Sequence, residues 1–383
     1  VGGSFALDAT INPDFGQVEV DPAVVNLSDS ETFYPEKRPF FVQGRQLFDD
    51  FGSNGPNNHY RFGRSEPDLF YTRRIGRPPQ GSASGDYVLS PQFTTILGAA
   101  KLSGKTADGW SLGILDAVTG RESARWSTGE DWGRTQVEPL TNYFVARVFR
   151  DADRAGYGGL FTAVNRDLGD PVLQHRLVRA AYVGGLDGYV FLDPRKNWVV
   201  GGRLAGSWLD GSRESVERIQ LASQRYFQRP DRPEPRFDPT LTSLGGWTGN
   251  VNLNRQSGNV RVNAAMWATS PGFESNDLGF NRRSDRWGGH LAVQLRQSRP
   301  DGFTRYRSLT VAKAYSLNFD REKQGDSLNV YARARFLNYW NMGLNGHLRW
   351  RSLADRATRG GPSMLSGQSV GGGFWLESDD RKS

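Results

Sequence analysis

The groups best suited to chemistry in this chain cluster near its N-terminus. There Asp14, Glu19, Asp21, Glu31 and Glu36 stand close in sequence to Lys37 and Arg38, with Arg73 and Arg74 further on. Two such carboxylates can serve as acid and base on a glycosidic bond if their separation suits it. Glu19 and Glu36 are the candidates for that pair. The competing reading is an ion-pair network in which arginine forks grip carboxylates bidentately. Its members would be Asp14, Asp21, Glu36, Lys37, Arg38, Arg73 and Arg74. The structural reading takes precedence, because ion-pair networks perturb ionisation without catalysing anything.

Other motifs carry less. Ala99-Ala-Lys-Leu-Ser-Gly-Lys-Thr106 fits a relaxed phosphate-loop pattern. A phosphate loop needs a helix after its Gly-Lys-Thr, because the N-terminal amides of that helix hold the anion. Here Ala107-Asp-Gly109 is a turn and Trp110 to Leu115 alternates as a strand, so a hairpin is predicted. Asp151-Ala-Asp153 opens like a calcium loop, but Thr162 stands where the closing glutamate should be. His59, His175, His290 and His347 form no HxxxH pair, and there is no Gly-x-Ser-x-Gly. Cysteine is absent, which excludes disulfides and thiolate chemistry. No metal and no cofactor are expected.

The elements that must position these residues follow from a rhythm of turns. Short turn signals occur at Thr106–Gly109, Asp151–Gly156, Asp193–Lys196, Arg255–Gly258, Arg299–Gly302 and Asn338–Asn341. Longer loops fall between them, near 119–140, 166–177, 210–245, 270–285, 320–326 and 352–372. Tight turns at one end of every hairpin and long loops at the other is the layout of an outer-membrane β-barrel. The 37% hydrophobic content fits, because barrel strands show only every second residue to lipid. No run of 18 apolar residues exists, so no transmembrane helix is expected. Net charge is +7, but the arginines are dispersed through strands and loops, which argues against a nucleic-acid surface.

Strand register can be read directly. In 198–208, Trp198, Val200, Leu204 and Trp208 share one face, and Val199, Arg203, Ala205 and Ser207 share the other. At about 3.4 Å per residue and a strand tilt near 40°, the two tryptophans are roughly 26 Å apart along a membrane normal, close to the ~25 Å apolar band of a barrel and its aromatic girdles. Trp340 and Trp350 repeat the spacing. In 286–297, Leu291, Val293 and Leu295 oppose His290, Gln294 and Arg296. In 258–269, Val260, Val262 and Met266 oppose Arg261 and Asn263. In 327–338, Leu328 and Val330 oppose Asn329, Tyr331, Arg333 and Arg335. The expectation is a hydrated lumen bearing Arg203, Arg261, Arg296, Arg333, Arg335 and Arg349.

Residues 12–88 break the rhythm with prolines and clustered charge, which exclude a central strand. Counting turns places this irregular insert at the long-loop end, where it is expected to fill or cover the barrel mouth as a plug, with Phe33, Phe40 and Phe41 as anchors. The expected division is a first strand or linker at 1–11, the insert at 12–88, and barrel strands with long loops at 89–383. About thirteen strands are expected from residue 89 onward, plus one near 4–11. Val1 is not a start residue, and the polar run Asp379–Ser383 follows a strand that has barely begun. The chain therefore reads as an internal fragment, with the barrel incomplete at its C-terminus.

The string NPDFGQVEVDPAVVNLSDSETFYPEKRPFFVQG, followed by FYTRRIGR, resembles an uncharacterised family of bacterial outer-membrane β-barrels. LDAVTGRE, VEPLTNYFVARV, RYFQRPD, SNDLGFNRR and RGGPSML extend the resemblance over nearly the whole chain. In that family the barrel commonly follows a domain similar to carbohydrate-binding module family 9. The resemblance implies an outer-membrane location, lipid as a partner, and an oligosaccharide as the associated solute. The expected function is an all-β, antiparallel transmembrane barrel that binds or passes a solute. The alternative is a membrane-anchored glycan hydrolase with its site in the insert or long loops.

Overall fold

The protein's computed structural model describes residues 4–13, 24–49, 51–52, 60, 62, 66–233 and 235–378. Fourteen strands form one antiparallel sheet, each paired with the next in the chain. They are β1 (Ser4–Ile11), β2 (Ile96–Lys105), β3 (Trp110–Thr119), β4 (Leu140–Asp151), β5 (Ala155–Asp167), β6 (Ala180–Phe191) and β7 (Trp198–Asp210). The sheet continues with β8 (Ser243–Arg255), β9 (Val260–Thr269), β10 (Arg286–Gln297), β11 (Thr304–Leu317), β12 (Lys323–Phe336), β13 (Asn341–Arg349) and β14 (Ser369–Glu377). The strand count is the one the turn rhythm predicts. The relaxed phosphate-loop segment is strand β2 and its turn, as the hairpin reading requires.

Short turns join β2 to β3, β4 to β5, and so on to β12 and β13, all at one end. The long loops and the insert lie at the other. The sheet resumes at Ile96, later than expected, because Tyr87–Leu89 pairs instead with a hairpin formed by Glu122–Thr128 and Asp131–Glu138. Helices are few and short; the longest is Arg213–Leu221 in the β7–β8 loop, capped by Ser212. Among the described residues no helix is long and apolar enough to cross a membrane.

Among the described residues the sheet does not close into a ring. Among the described residues β1 pairs only with β2 and β14 only with β13, so both stand at the edges of the described sheet. A barrel closes only when the last ladder meets the first. The sheet is nevertheless strongly curved. Arg166 on β5 reaches Asp277 in the β9–β10 loop at 2.7 Å. Strands five places apart in a flat sheet lie roughly 24 Å apart. The insert crosses the concave face: its residues touch β2 at Lys101 and β12 at Tyr331.

The insert stays there because it completes the core. Phe41, Phe48, Phe70 and Ile75 bury against Ile96, Leu115, Tyr143, Val145 and Val164 of β2 to β5. Phe51 and Leu69 form a second cluster with Leu160, Val183, Ala205 and Phe273. Each such side chain contributes about 1.5–3 kcal/mol on burial, more than any exposed ion pair at ~0–1 kcal/mol, so apolar contact holds the insert and charge orients it.

The opposite face is apolar and exposed. Leu7, Leu186, Leu204, Val251, Met266, Leu291, Leu295, Val311, Leu344 and Phe374 lie on it, and Leu204 is 60% and Leu186 71% accessible. Trp198 and Trp208 share this face at the two ends of β7, as predicted from their spacing.

The loop end depends on close backbone approaches. A Cβ at Gly246 on β8 would fall 2.1 Å from the amide nitrogen of Phe273, an atom that cannot swing aside. Gly246→Ala should therefore displace the 270–285 loop while the sheet persists. Limited proteolysis should show new cleavage in that loop with unchanged β-sheet circular dichroism; an unaltered digestion pattern would contradict this packing.

Candidate functional site

The insert is locked by arginines that each bind several oxygens. Arg38 donates from Nε and Nη2 to the two Glu36 oxygens at 2.9 and 2.7 Å. The same guanidinium reaches Ile75 O at 2.7 Å and Thr72 O at 2.8 Å, tying the 36–38 turn to the 72–75 turn. Burial pushes the Glu36 carboxyl up, but the Arg38 fork and charge, with the Thr72 hydroxyl, hold it below the usual carboxylate range. A carboxylate held ionised in this way suits an anchor and not a general acid. Arg74 pairs bidentately with Glu31, both contacts at 2.7 Å, and donates from Nε to Gly279 O at 3.0 Å. Of the charges expected in one network, Arg38 takes Glu36 and Arg74 takes Glu31. Glu36 is satisfied within its own turn, and Glu31 lies within reach of the Arg74 fork. Asp14, Glu19 and Asp21 lie outside the described residues, as does His59.

Inward charges of the sheet complete the lock. Arg147 on β4 and Asp187 on β6 form a buried bidentate pair at 2.5 and 2.8 Å, reaching across β5. Asp187 also accepts the Gly52 amide at 2.8 Å. The Phe51 ring lies between two guanidinium groups, 5.3 Å from that of Arg147 and 5.7 Å from that of Arg203. Arg203 donates to Phe51 O at 3.3 Å and to Pro67 O at 3.0 Å. Lys101 donates to Phe40 O at 2.6 Å and Gln43 O at 2.5 Å. A cavity of about 170 Å³ remains beside this lock, bordered by Phe48, Phe51, Phe70 and Arg203.

The loops add a second charged layer. Arg225 pairs with Glu274, Arg232 with Asp285, Arg283 with Asp355 and Arg356 with Asp29. These four contacts join the β7–β8, β9–β10 and β13–β14 loops to one another and to the insert. None of them was visible in sequence, because each joins residues far apart along the chain. The inward pair Arg147 and Asp187 had a signal: both fall on the polar phase of alternating strands, with opposite charge.

The six arginines expected on the inner face do lie on one face of the sheet, but in three settings. Arg203 is consumed by the insert. Arg261, Arg296, Arg333 and Arg335 stand near the short-turn end of β9, β10 and β12, where Arg296 and Arg333 both lie opposite Ser308. Arg349 lies opposite Ser327, six residues from Arg333 along β12 and so roughly 20 Å away. Among the described residues, the insert meets this side through Tyr60 and Phe62. Gln294 donates to the Tyr60 hydroxyl at 3.2 Å, and the Phe62 ring lies 5.5 Å from His290 and 6.2 Å from Tyr331. Arg333, Arg335 and Tyr331 remain exposed. His290 bonds Asn263 at 2.5 Å, and that amide continues to Asn252 at 2.9 Å, a buried polar ladder.

The fold and its surfaces define an antiparallel all-β protein with a charged concave face that holds an insert and an apolar convex face. The chain belongs to the family described as Domain of unknown function (DUF5916), whose model matches residues 1–154 and 224–383. No curated protein matches it. The stretch between the two matched segments carries Asp187 and Arg203.

Removing Glu36 takes from the buried Arg38 the carboxylate it grips with two donors, at a cost of about 3–5 kcal/mol. Glu36→Ala should raise protease cleavage within residues 30–76 while the sheet stays folded. Because the folded Glu36 is held below the ordinary glutamate range, its stabilisation is present above that range and drains away as pH falls through the lowered value. Hydrogen exchange of the insert, corrected for intrinsic rates, should therefore rise on acidification in the native chain and lose that acid step in Glu36→Ala. Identical exchange in both chains would contradict the clamp.

Proposed function

We propose that this chain is an outer-membrane β-barrel protein that binds or passes a solute along its charged inner face. The observation that carries the reading is the convex surface. An apolar band there is bounded at both ends by aromatic rings. At the loop end Phe144, Phe161, Tyr182 and Trp208 follow one another across β4 to β7, with ring centres 6.5, 6.4 and 6.1 Å apart. Trp287 and Tyr315 continue the belt on β10 and β11. At the turn end stand Trp110 with Tyr157 and Phe303 with Phe336. Soluble proteins rarely expose contiguous apolar patches of this extent. Apolar bands between aromatic girdles are the surface of membrane barrels.

Charge supports the same assignment. An outward arginine at a bilayer midplane costs about 2–4 kcal/mol, and the arginines at strand centres point to the other face. The outward Lys313 lies near the loop end, is paired with Asp326 and sits 3.7 Å from the Trp350 ring. In this reading the sheet is part of a barrel wall and the insert is a plug fastened to β2–β8. The open side at β9–β13 is the route for the solute. The resemblance to barrels that follow a carbohydrate-binding module directs the solute class to carbohydrate.

The full chain refolded into vesicles should show Trp208 fluorescence quenched by lipids brominated along the acyl chain. Leu204→Arg, at the centre of the band, should reduce insertion severalfold. If the route is open, single-channel recordings should favour anions. Absence of quenching, or normal insertion of Leu204→Arg, would overturn the membrane reading; cation preference would overturn the cationic route.

A further inference from the structure

The four arginines near the turn end contrast with Arg38, Arg74, Arg225 and Arg283, each of which grips a carboxylate. Among the described residues no carboxylate forms an ion pair with Arg261, Arg296, Arg333 or Arg335. Arg261 Nε is shielded from solvent and has no hydrogen-bond partner there. Arg296 and Arg335 meet only rings, Tyr306 at 5.6 Å and Tyr339 at 5.4 Å. Arg261 and Arg296 are diagonal neighbours, roughly 7–8 Å apart at Cβ. Arg296 and Arg333 are two strands apart, roughly 10 Å, and Arg335 follows two residues along, roughly 7 Å. Four like charges at this spacing repel one another unless an anion lies among them.

A second set of groups adjoins them one row toward the loop end. Tyr331 is 41% exposed on the same face, and its ring centre lies 6.2 Å from that of Phe62, which stacks on Tyr60 with centres 5.5 Å apart. Asn345 lies directly opposite Tyr331 and is itself exposed. Guanidinium forks match planar carboxylate and sulfate groups. Amides bond hydroxyls, and an aromatic strip stacks on the C–H face of a pyranose ring. A monovalent anion would use one fork and leave the row unexplained.

We infer that the inner face of β9–β13 binds an acidic oligosaccharide, with Arg261, Arg296, Arg333 and Arg335 receiving its carboxylate or sulfate groups and Tyr331 stacking on a sugar ring. The inference deepens the solute reading above and rests on that face bordering an aqueous route. Specificity arises from spacing: successive acidic groups along a chain meet successive forks, and the uncharged rings between them meet Tyr331 and Asn345.

The test is calorimetric titration of the full folded chain in detergent micelles, with a short oligogalacturonate, a sulfated heparin oligosaccharide, a neutral malto-oligosaccharide and tripolyphosphate as probes. Native-like migration before heating serves as the folding control. At least one acidic oligosaccharide should bind, the neutral one should not, and the preferred acid group names the source. The double variant R333Q/R335Q should weaken acidic-sugar binding at least tenfold, whereas Arg218→Gln, a charge removed from the loop helix, should leave it unchanged. Tyr331→Ala should weaken the acidic sugar and spare tripolyphosphate. Failure of both acidic sugars to bind, equal binding by folded R333Q/R335Q, or binding of tripolyphosphate alone would overturn the inference. Arginine-dependent sugar binding by a protein whose Trp208 is not quenched in vesicles upholds this site and overturns the membrane reading. Quenching without sugar binding does the reverse.

Discussion

The period of two along a β-strand is the constraint on which this structure depends. Fourteen paired strands share one sheet, so a choice of facing at one residue propagates through every ladder. Leu204 pairs across to Leu186 and Gly249, and Arg203 to Asp187 and Asn250. A slip of one residue would turn arginines outward and leucines inward on a whole strand. The separation of an apolar convex face from a charged concave face is therefore collective. It permits curvature, because the concave side can be filled by a polypeptide that matches its mixed chemistry.

That filling divides the molecule. Toward β2–β8 the insert brings phenylalanines into the core and lays its carbonyls and amides on Lys101, Arg147, Asp187 and Arg203. Toward β9–β13 it brings Tyr60 and Phe62 and little else among the described residues. Arginine dominates both sides, and its fixed fork explains why. A single guanidinium in Arg38 serves a carboxylate and two carbonyls at once, which an ammonium on a flexible stem does less well. The same property leaves the open arginines as ready receptors for planar acid groups. Structure and binding thus draw on one residue type, distinguished by whether the chain itself supplies the oxygens.

The carboxylates that meet the insert are held as anchors for the same reason. Glu36 is ionised by its own turn, Glu31 is engaged by Arg74, and Asp187 is shared between Arg147 and an insert amide. Each of these three carboxylates has a fixed partner, which favours rigidity. The buried ladder of Asn252, Asn263 and His290 is likewise bonded within itself and fixes the packing of β8 to β10.

By itself the sequence determined what local physics governs. Turn residues marked the hairpin ends, alternation assigned faces, and proline with clustered charge marked the insert. The two tryptophans of β7 were placed on one face by spacing alone. Partner choice was decided only in three dimensions. Glu31 turned to Arg74, because geometry between segments some forty residues apart carries no periodic trace. Asp29 meets Arg356 across most of the chain length, a contact created by sheet curvature. Of six inward arginines that looked alike in alternation, the fold buried Arg203 under the insert and left four in a row with no carboxylate partner among the described residues. Which strands the insert covers is set by the shape of the concave face, and that shape exists only once every ladder is paired.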